Sequence, residues 1–496
     1  MRVRSLLFLF LFKFSLLSAQ TSLKEIDLEN GKFRVGFQHY LTSDSTRTYQ
    51  RIYDWTNKSI PRPISVSIWY PSNELSMEAE PMTVLDYLEI LKEEEEWEYL
   101  PNEQILNWFE FPNTPANQSH LLEKATAFAN LKHANGKFPV VVYAPGLQTS
   151  SIENFALAEY LASHGYLVIS SPSRGSENRF FENDAGKNLE TQARDIEFLI
   201  AELAKIPSAN LDEIATMGFS FGGLANVLSQ MRNDNIKAIV SLDGSIKYQY
   251  QTLKNSPFFD IEKVDVPFIH FAQRDIPEEV MLADQIDPRL NNEFEFYDSL
   301  TNSQAYSLKF HNLTHSYFTS LRILFEARDD RQDVSDVEIM ESYKWMSIYT
   351  LNFLEAFLKD NASSLKFIEN RPTDNGIREG LISKRSKKPQ PKRFTFQDFN
   401  ELAATQNYSD LIPLYETVLK EYPNLEIAEG PLNNLGLQLI FNPENSLKAI
   451  NVFLLATHIY PESGNLYDSL AEAYLFIETI FSNIRNFRKV ALTYHL

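Results

Sequence analysis

The sequence predicts an α/β fold, a doubly wound and mainly parallel sheet, followed by a small all-helical unit. Three observations carry that expectation. Between about residues 138 and 271, short apolar runs alternate with longer amphipathic stretches, as they must when helices cover both faces of buried strands. Within that series Ser220 sits between Gly218 and Gly222, where an apolar run ends and a helical pattern begins. Beyond about residue 398 the strand pattern stops, and small residues recur at helical spacing.

The chain has 496 residues, 44% of them apolar, enough for one large core and a smaller unit. Its formal net charge of -20 supplies no attraction for a polyanion, which excludes DNA and RNA as partners. It has no cysteine, so disulfides, thiolate metal sites and a cysteine nucleophile are excluded. Residues 1–19 join basic Arg2 and Arg4 to an apolar run from Leu6 to Leu17 and the small pair Ser18 and Ala19. That order is typical of a cleavable secretory signal, and the run is too short for a ~20-residue membrane span. Export to a periplasm or to the exterior is expected.

A large domain is expected over residues 20–370. From Arg62 to Tyr70 apolar and polar residues alternate with period two, which predicts a half-buried antiparallel strand ended by Pro71. Residues 77–136 form a cap-like insertion in which Glu93 to Glu96 lie among Trp97, Tyr99, Trp108, Phe109 and Phe111. The carboxylates predict a solvated helix face, and the aromatics predict a wall over an apolar site. Phe138 to Tyr143 reads as a strand buried on both faces, broken at Pro145 and Gly146. Helices are then expected from Phe155 to His164, Glu190 to Lys205, Gly222 to Met231 and Ser342 to Leu358. Strands are expected from Tyr166 to Ser170, Ile214 to Met217, Ala238 to Leu242 and Val266 to Phe271.

Residues 371–397, with Lys384, Arg385, Lys387, Lys388, Lys392, Arg393 and three prolines, read as a basic linker. In residues 398–496, Tyr422 with Pro423 and Tyr460 with Pro461 close two apolar helical patterns, and Gly436, Ala449, Ala456 and Ala471 stand where paired helices would touch. This tail resembles tetratricopeptide repeats, but it holds about two, fewer than the ~3 a free-standing array needs. It is expected to lean on the large domain or on a protein partner.

Glycines two positions either side of Ser220 suit a sharp strand-to-helix turn that lifts the hydroxyl out of the sheet edge. A serine hydroxyl needs a base to take its proton. His270, His311, His315, His458 and His495 follow Ser220 in the chain. His458 and His495 belong to the helical tail and His270 to a predicted strand, which leaves His311 and His315. His315 lies in a loop ahead of a helical pattern, the setting a base requires. Two acids fit the loops: Asp243, directly after one strand, and Asp275, four residues past the next. A carboxylate fixed at a strand end holds an imidazole better, which favours Asp243. Neither an H-E-x-x-H zinc motif nor a phosphate-binding P-loop is present, so no cofactor or metal is expected.

Together Arg62 with Pro63, Trp69 to Pro71, Gly146 with Leu147, Leu161 to Gly165, Gly218 to Gly223, Leu242 with Asp243 and Thr314 to Phe318 resemble the platelet-activating-factor acetylhydrolase and dienelactone hydrolase branch of the α/β-hydrolase fold, over about residues 30–360. The resemblance implies hydrolysis of a small-molecule or lipid carboxylic ester by a triad of Ser220, Asp243 and His315. It also implies an oxyanion hole from the backbone N–H groups of Leu147 and Phe221. The chain departs from that branch at Ala144 and Pro145, where Ser-His is usual. A peptidase or acyltransferase could use the same fold, and a scaffold whose tail recruits a partner is a third reading. The intact serine, acid and histidine argue against the third.

Overall fold

The computed structural model describes residues 21–56, 58–75, 79–325, 334–390, 394–423 and 425–493, with backbone alone for 443 and 480–493. Residues 1–19, read above as an export signal, and His495 lie outside the described residues. The chain divides into two compact units, Met1–Gln390 and Pro391–Leu496.

The first unit is an α/β-hydrolase fold built on one ten-stranded sheet. Its strands are β1 Arg34–Tyr49, β2 Ile60–Ser72, β3 Ala127–Ala129, β4 Phe138–Ala144, β5 Leu167–Ser170, β6 Ala209–Phe219, β7 Ile236–Leu242, β8 Phe268–Ala272, β9 Ala305–Phe310 and β10 Ile382–Lys387. Their order across the sheet is β10-β9-β8-β7-β6-β4-β5-β2-β1-β3. Strands β5, β4, β6, β7, β8 and β9 run parallel, while β2 and β10 close that block from either side in antiparallel pairing. Alternate residues of β4 serve the two faces. Val141 and Tyr143 join the core that includes the helices Phe155–Ser163 and Asp336–Leu358, while Val140, Val142 and Ala144 join the one with Ala185–Glu202 and Phe221–Arg232. From β4 the chain goes to β5 on one side and then to β6 on the other, and at this reversal the ends of neighbouring strands open a crevice.

Three expectations need correction. Strand β2 is buried on both faces from Ile64 to Ser72, because β1, which the sequence reading did not anticipate, and β5 flank it while helices and the insertion cover it. Even Arg62 is buried, forked onto Asp195 at 3.0 and 2.6 Å. Next, of the carboxylates of residues 93–96 only Glu93 is solvated. Glu94 accepts from Ser150 and Ser151, Glu95 pairs with Arg174 and Arg179, and Glu96 accepts from the Tyr49 hydroxyl and the Ile52 N–H. Finally, residues 371–397 are not simply a linker: Ile382–Lys387 is the edge strand β10, paired along its whole length with β9. Lysines and arginines on an edge strand discourage pairing with other chains, which is why that strand looked like a linker in the sequence.

The second unit is all-helical, with helices Phe396–Thr405, Leu411–Glu421, Glu429–Ile440, Ser446–Ile459 and Gly464–Thr493. Tyr422 and Tyr460 end the second and fourth of these, as their spacing suggested. A Cβ on Gly436 would meet the Phe453 ring at 2.4 Å, so the bare glycine is what lets the third and fourth helices touch.

Candidate active site

Ser220 is the single residue between β6 and the helix Phe221–Arg232, and it has φ 51° and ψ -120°. A non-glycine residue holds such a conformation only where its surroundings enforce it. Here the Ser220 N–H donates to Leu242 O at 3.2 Å, and its carbonyl accepts from Gly223 and Ser245 N–H groups at 3.0 and 2.7 Å. The flanking glycines are obligatory for space: a Cβ on Gly222 would lie 2.0 Å from Ala144 O, and one on Gly218 2.5 Å from the Gly222 carbonyl carbon. The turn therefore carries its side chain out over the crevice at the carboxyl ends of the strands.

There Ser220 Oγ lies 2.9 Å from His315 Nε2, and His315 Nδ1 lies 2.6 Å from Asp243 Oδ2. Asp243 directly follows β7 and is fully buried. Burial pushes its carboxyl upward, but the hydrogen bond and charge of His315, with help from His270 and the Gln273 N–H, outweigh burial and hold it below the usual carboxylate range. An ionised carboxylate only accepts, so Nδ1–H donates to Asp243 and Nε2 is left to accept the serine proton.

One residue that the sequence reading missed joins the two loops. The Gln273 N–H donates to Asp243 Oδ1 at 3.0 Å, its side-chain Oε1 accepts from the His315 N–H at 3.1 Å, and its amide reaches Tyr248 Oη at 3.4 Å. Its position between the end of β8 and Asp275, in a loop already under suspicion, was the available signal.

On the other flank, β4 leads into Gly146 and Leu147. Buried Glu153 accepts from the Gly146 N–H at 2.9 Å and from the Tyr143 hydroxyl at 2.7 Å, which fixes this loop. Burial pushes the Glu153 carboxyl up to about 7, against those two donors. The Leu147 N–H makes no hydrogen bond among the described residues. Phe221 is the first residue of its helix, so its N–H has no partner a turn earlier and sits at the positive end of the helix dipole. Ser220 and His315 line a cavity of 350 Å³ whose apolar walls are Leu91, Phe109, Phe111, Leu147, Phe219 and Leu321. Leu91, Phe109 and Phe111 come from residues 77–136, whereas Trp97, Tyr99 and Trp108 of the expected aromatic wall line a separate cavity. Arg322 lies over the Phe111 ring at 5.2 Å on the same rim.

The remaining candidates fall elsewhere. Asp275 is exposed and pairs with Lys309 at 2.6 Å, not with His315. His311 bonds Ser383 Oγ through Nε2 at 2.7 Å on the β9–β10 edge. His270 is buried, with Nδ1 2.9 Å from Ser241 Oγ, and burial pushes it down to about 3, so it stays neutral behind Asp243. His164 caps its helix and His458 lies on the helical unit.

Residues 109–260 match a family model described as "Esterase FrsA-like", a span that holds Ser220 and Asp243 and stops short of His315. A solved ferulic acid esterase from Streptomyces cinnamoneus superposes with a TM-score of 0.51 at 19% identity, over 72% of this chain and 97% of that one. That likeness is one of fold. No curated protein matches the chain at a significant level.

Proposed function

We propose that the chain is a serine-dependent carboxylic ester hydrolase that works through an acyl-enzyme on short or modified acyl esters. The observation that carries the reading is the hydrogen-bonded series from Ser220 through His315 to Asp243, set beside two amides free to meet an oxyanion. His315 Nε2 takes the Ser220 proton as Oγ attacks the ester carbonyl. The N–H groups of Leu147 and Phe221 receive the developing negative charge, a contribution of ~3 kcal/mol for one such donor. His315 then passes its proton to the leaving alkoxide, and the acyl group stays on Ser220. A water, deprotonated by the same Nε2, attacks the acyl-enzyme and frees the acid, while Asp243 stabilises the imidazolium in both halves.

A cavity of 350 Å³ with Phe109, Phe111 and Phe219 in its walls suits a small apolar or aromatic acyl group better than a long chain. The match to an esterase family model supports ester chemistry, and the motifs from Arg62 to Phe318 support the acetylhydrolase and dienelactone hydrolase branch. Export under residues 1–19 and recruitment of a protein partner by the helical unit complete the proposal. Its test is Ser220→Ala against wild type on p-nitrophenyl acetate. Turnover should fall ~10⁴-fold to 10⁶-fold. A variant that hydrolyses the ester like wild type removes Ser220 from the chemistry and the reading with it.

A further inference from the structure

The basic residues of β10 form part of a second cavity, of 250 Å³, bounded by strands β8, β9 and β10 and the segment after Asp243. Cationic Lys247, Lys309, Lys384 and Arg385 line it beside His311 and Phe294, in a protein of formal net charge -20. Two of these cations share one acceptor. The Lys247 and Lys309 ammonium groups both donate to the Asn291 carbonyl, at 3.5 and 3.3 Å, so they stand within one small ligand's reach of each other.

Their compensation is unequal. Lys309 has Asp275 at 2.6 Å. Lys384 is committed to the carbonyls of Ile368, Glu369 and Asn370, and Arg385 lies 4.3 Å from the Tyr297 ring with Asp298 Oδ1 at 3.5 Å. Lys247 is 7% exposed, yet among the described residues that long contact with Asn291 is its ammonium group's one hydrogen bond and no carboxylate pairs with it. Burial, then the Lys309 and Arg385 charges, draw its ammonium down to about 8, while Asp243 and Asp275 pull the other way. A buried cation normally has a partner or loses its proton, and here the space for a partner is the cavity itself.

We propose that this cavity is an anion site, in which Lys247, Lys309 and Arg385 bind a small oxyanion of two or more negative charges with the chemistry of a phosphate group. At a ~30 Å³ share of volume per water, it has room for a phosphate and a few carbons beside it. Phe294 supplies an apolar wall for those carbons. The phosphate comes either free or on a small metabolite, and the two sources differ in whether the carbons add affinity. The site is separate from the ester chemistry, so its occupancy can be read without turnover.

The test is calorimetric titration of the full chain with inorganic phosphate, and in parallel with glycerol 3-phosphate, at constant ionic strength. Saturable binding at one site per chain is expected. Lys247→Met and Arg385→Gln should each weaken it ~10-fold or more, since a charged hydrogen bond is lost. Lys247→Met keeps the volume of the stem and removes a poorly paired buried charge, so it should fold, and an unchanged or higher Tm checks this. Arg385→Gln, at the cavity edge, is the second variant. Tighter binding of glycerol 3-phosphate identifies a phosphorylated metabolite as the ligand, and equal or weaker binding identifies free phosphate. Absence of saturable binding up to about 10 mM phosphate, or equal affinity in both folded variants, overturns the proposal.

Discussion

Glu153 and Asp243 stand on opposite flanks of Ser220, and both are buried, yet they hold their protons differently. Burial pushes Glu153 to about 7, and its hydrogen-bond donors, the Tyr143 hydroxyl and the Gly146 N–H, are neutral and, even with the Arg322 charge nearby, offset only part of the cost. Burial pushes Asp243 upward too, but His315 faces it and reverses the direction. Enclosure alone therefore does not decide whether a carboxyl in a site is charged. The partner does. A carboxylate against an imidazole can stabilise the imidazolium of turnover, whereas one against neutral amides holds a loop in place. Asp275, one loop away, pairs with Lys309, while Asp243 is the one that faces His315.

The sharpest way to break this comparison is to exchange charge for amide at the two aspartates. Asp243→Asn should lower kcat ~10⁴-fold, because the amide keeps the shape but favours the wrong histidine tautomer. Asp275→Asn should leave kcat within about 2-fold, as surface substitutions usually do. Rates measured on folded variants check the pair, and a collapse with Asp275→Asn alone would reverse the assignment.

Gln273→Leu tests whether the flank of Asp243 is positioned by its neighbours. Loss of the acceptor for the His315 N–H should cost ~10-fold to 100-fold in kcat with little change in KM, since small misplacements of a reacting group are expensive. Gln273→Glu restores an acceptor at the same reach and should recover most of the loss. A change in KM alone would make Gln273 a lining residue and nothing more.

The smallest effect on rate belongs to Glu153→Gln, which keeps an oxygen to accept from Gly146 and Tyr143 and should leave turnover near wild type. Its signature is in stability. The Glu153 carboxyl titrates near 7 in the folded chain against 4.5 ordinarily, so the unfolded chain releases that proton first. The stabilisation contributed by the neutral form is complete below about 4.5 and is lost as pH rises towards 7, by about 3 kcal/mol for a shift of this size. Denaturant midpoints at pH 5 and pH 8 should therefore diverge more for wild type than for Glu153→Gln. Parallel behaviour of the two proteins would show that Glu153 is already charged in the fold.

The parallel block was legible because strands buried on both faces are continuous apolar runs, and Phe138 to Ala144 is one. The antiparallel margins were harder to read. In β1 polar and apolar residues mix irregularly, with residues 38–40 half-buried and Arg47 and Asp44 paired to each other. In β10 half of the six side chains are basic, as an edge strand tolerates. Charge misled twice: Glu94 to Glu96 are paired rather than solvated, by partners the sequence does not show, and Lys384 to Lys387, though half-buried or exposed, belong to a strand. Those partners, Arg174 and Arg179 for Glu95, lie about eighty residues away in the chain. In the site, the sequence singled out Ser220 by the backbone demands on its glycines, His315 by chain order and its loop, and Asp243 over Asp275 by its place at a strand end. It did not single out Gln273, which acts through hydrogen bonds between loops that only the fold brings together, or Glu153, whose hydrogen bonds depend on the folded shape of the connection after β4.

The central claim is that Ser220 is a hydroxyl activated by His315 in an assembled site. Labelling with a fluorophosphonate, followed by mass mapping of the adduct, tests it most directly. The account predicts one adduct per chain, on Ser220, absent in Ser220→Ala and strongly slowed in folded His315→Ala. An adduct on another residue, or none on folded wild-type protein, would contradict it.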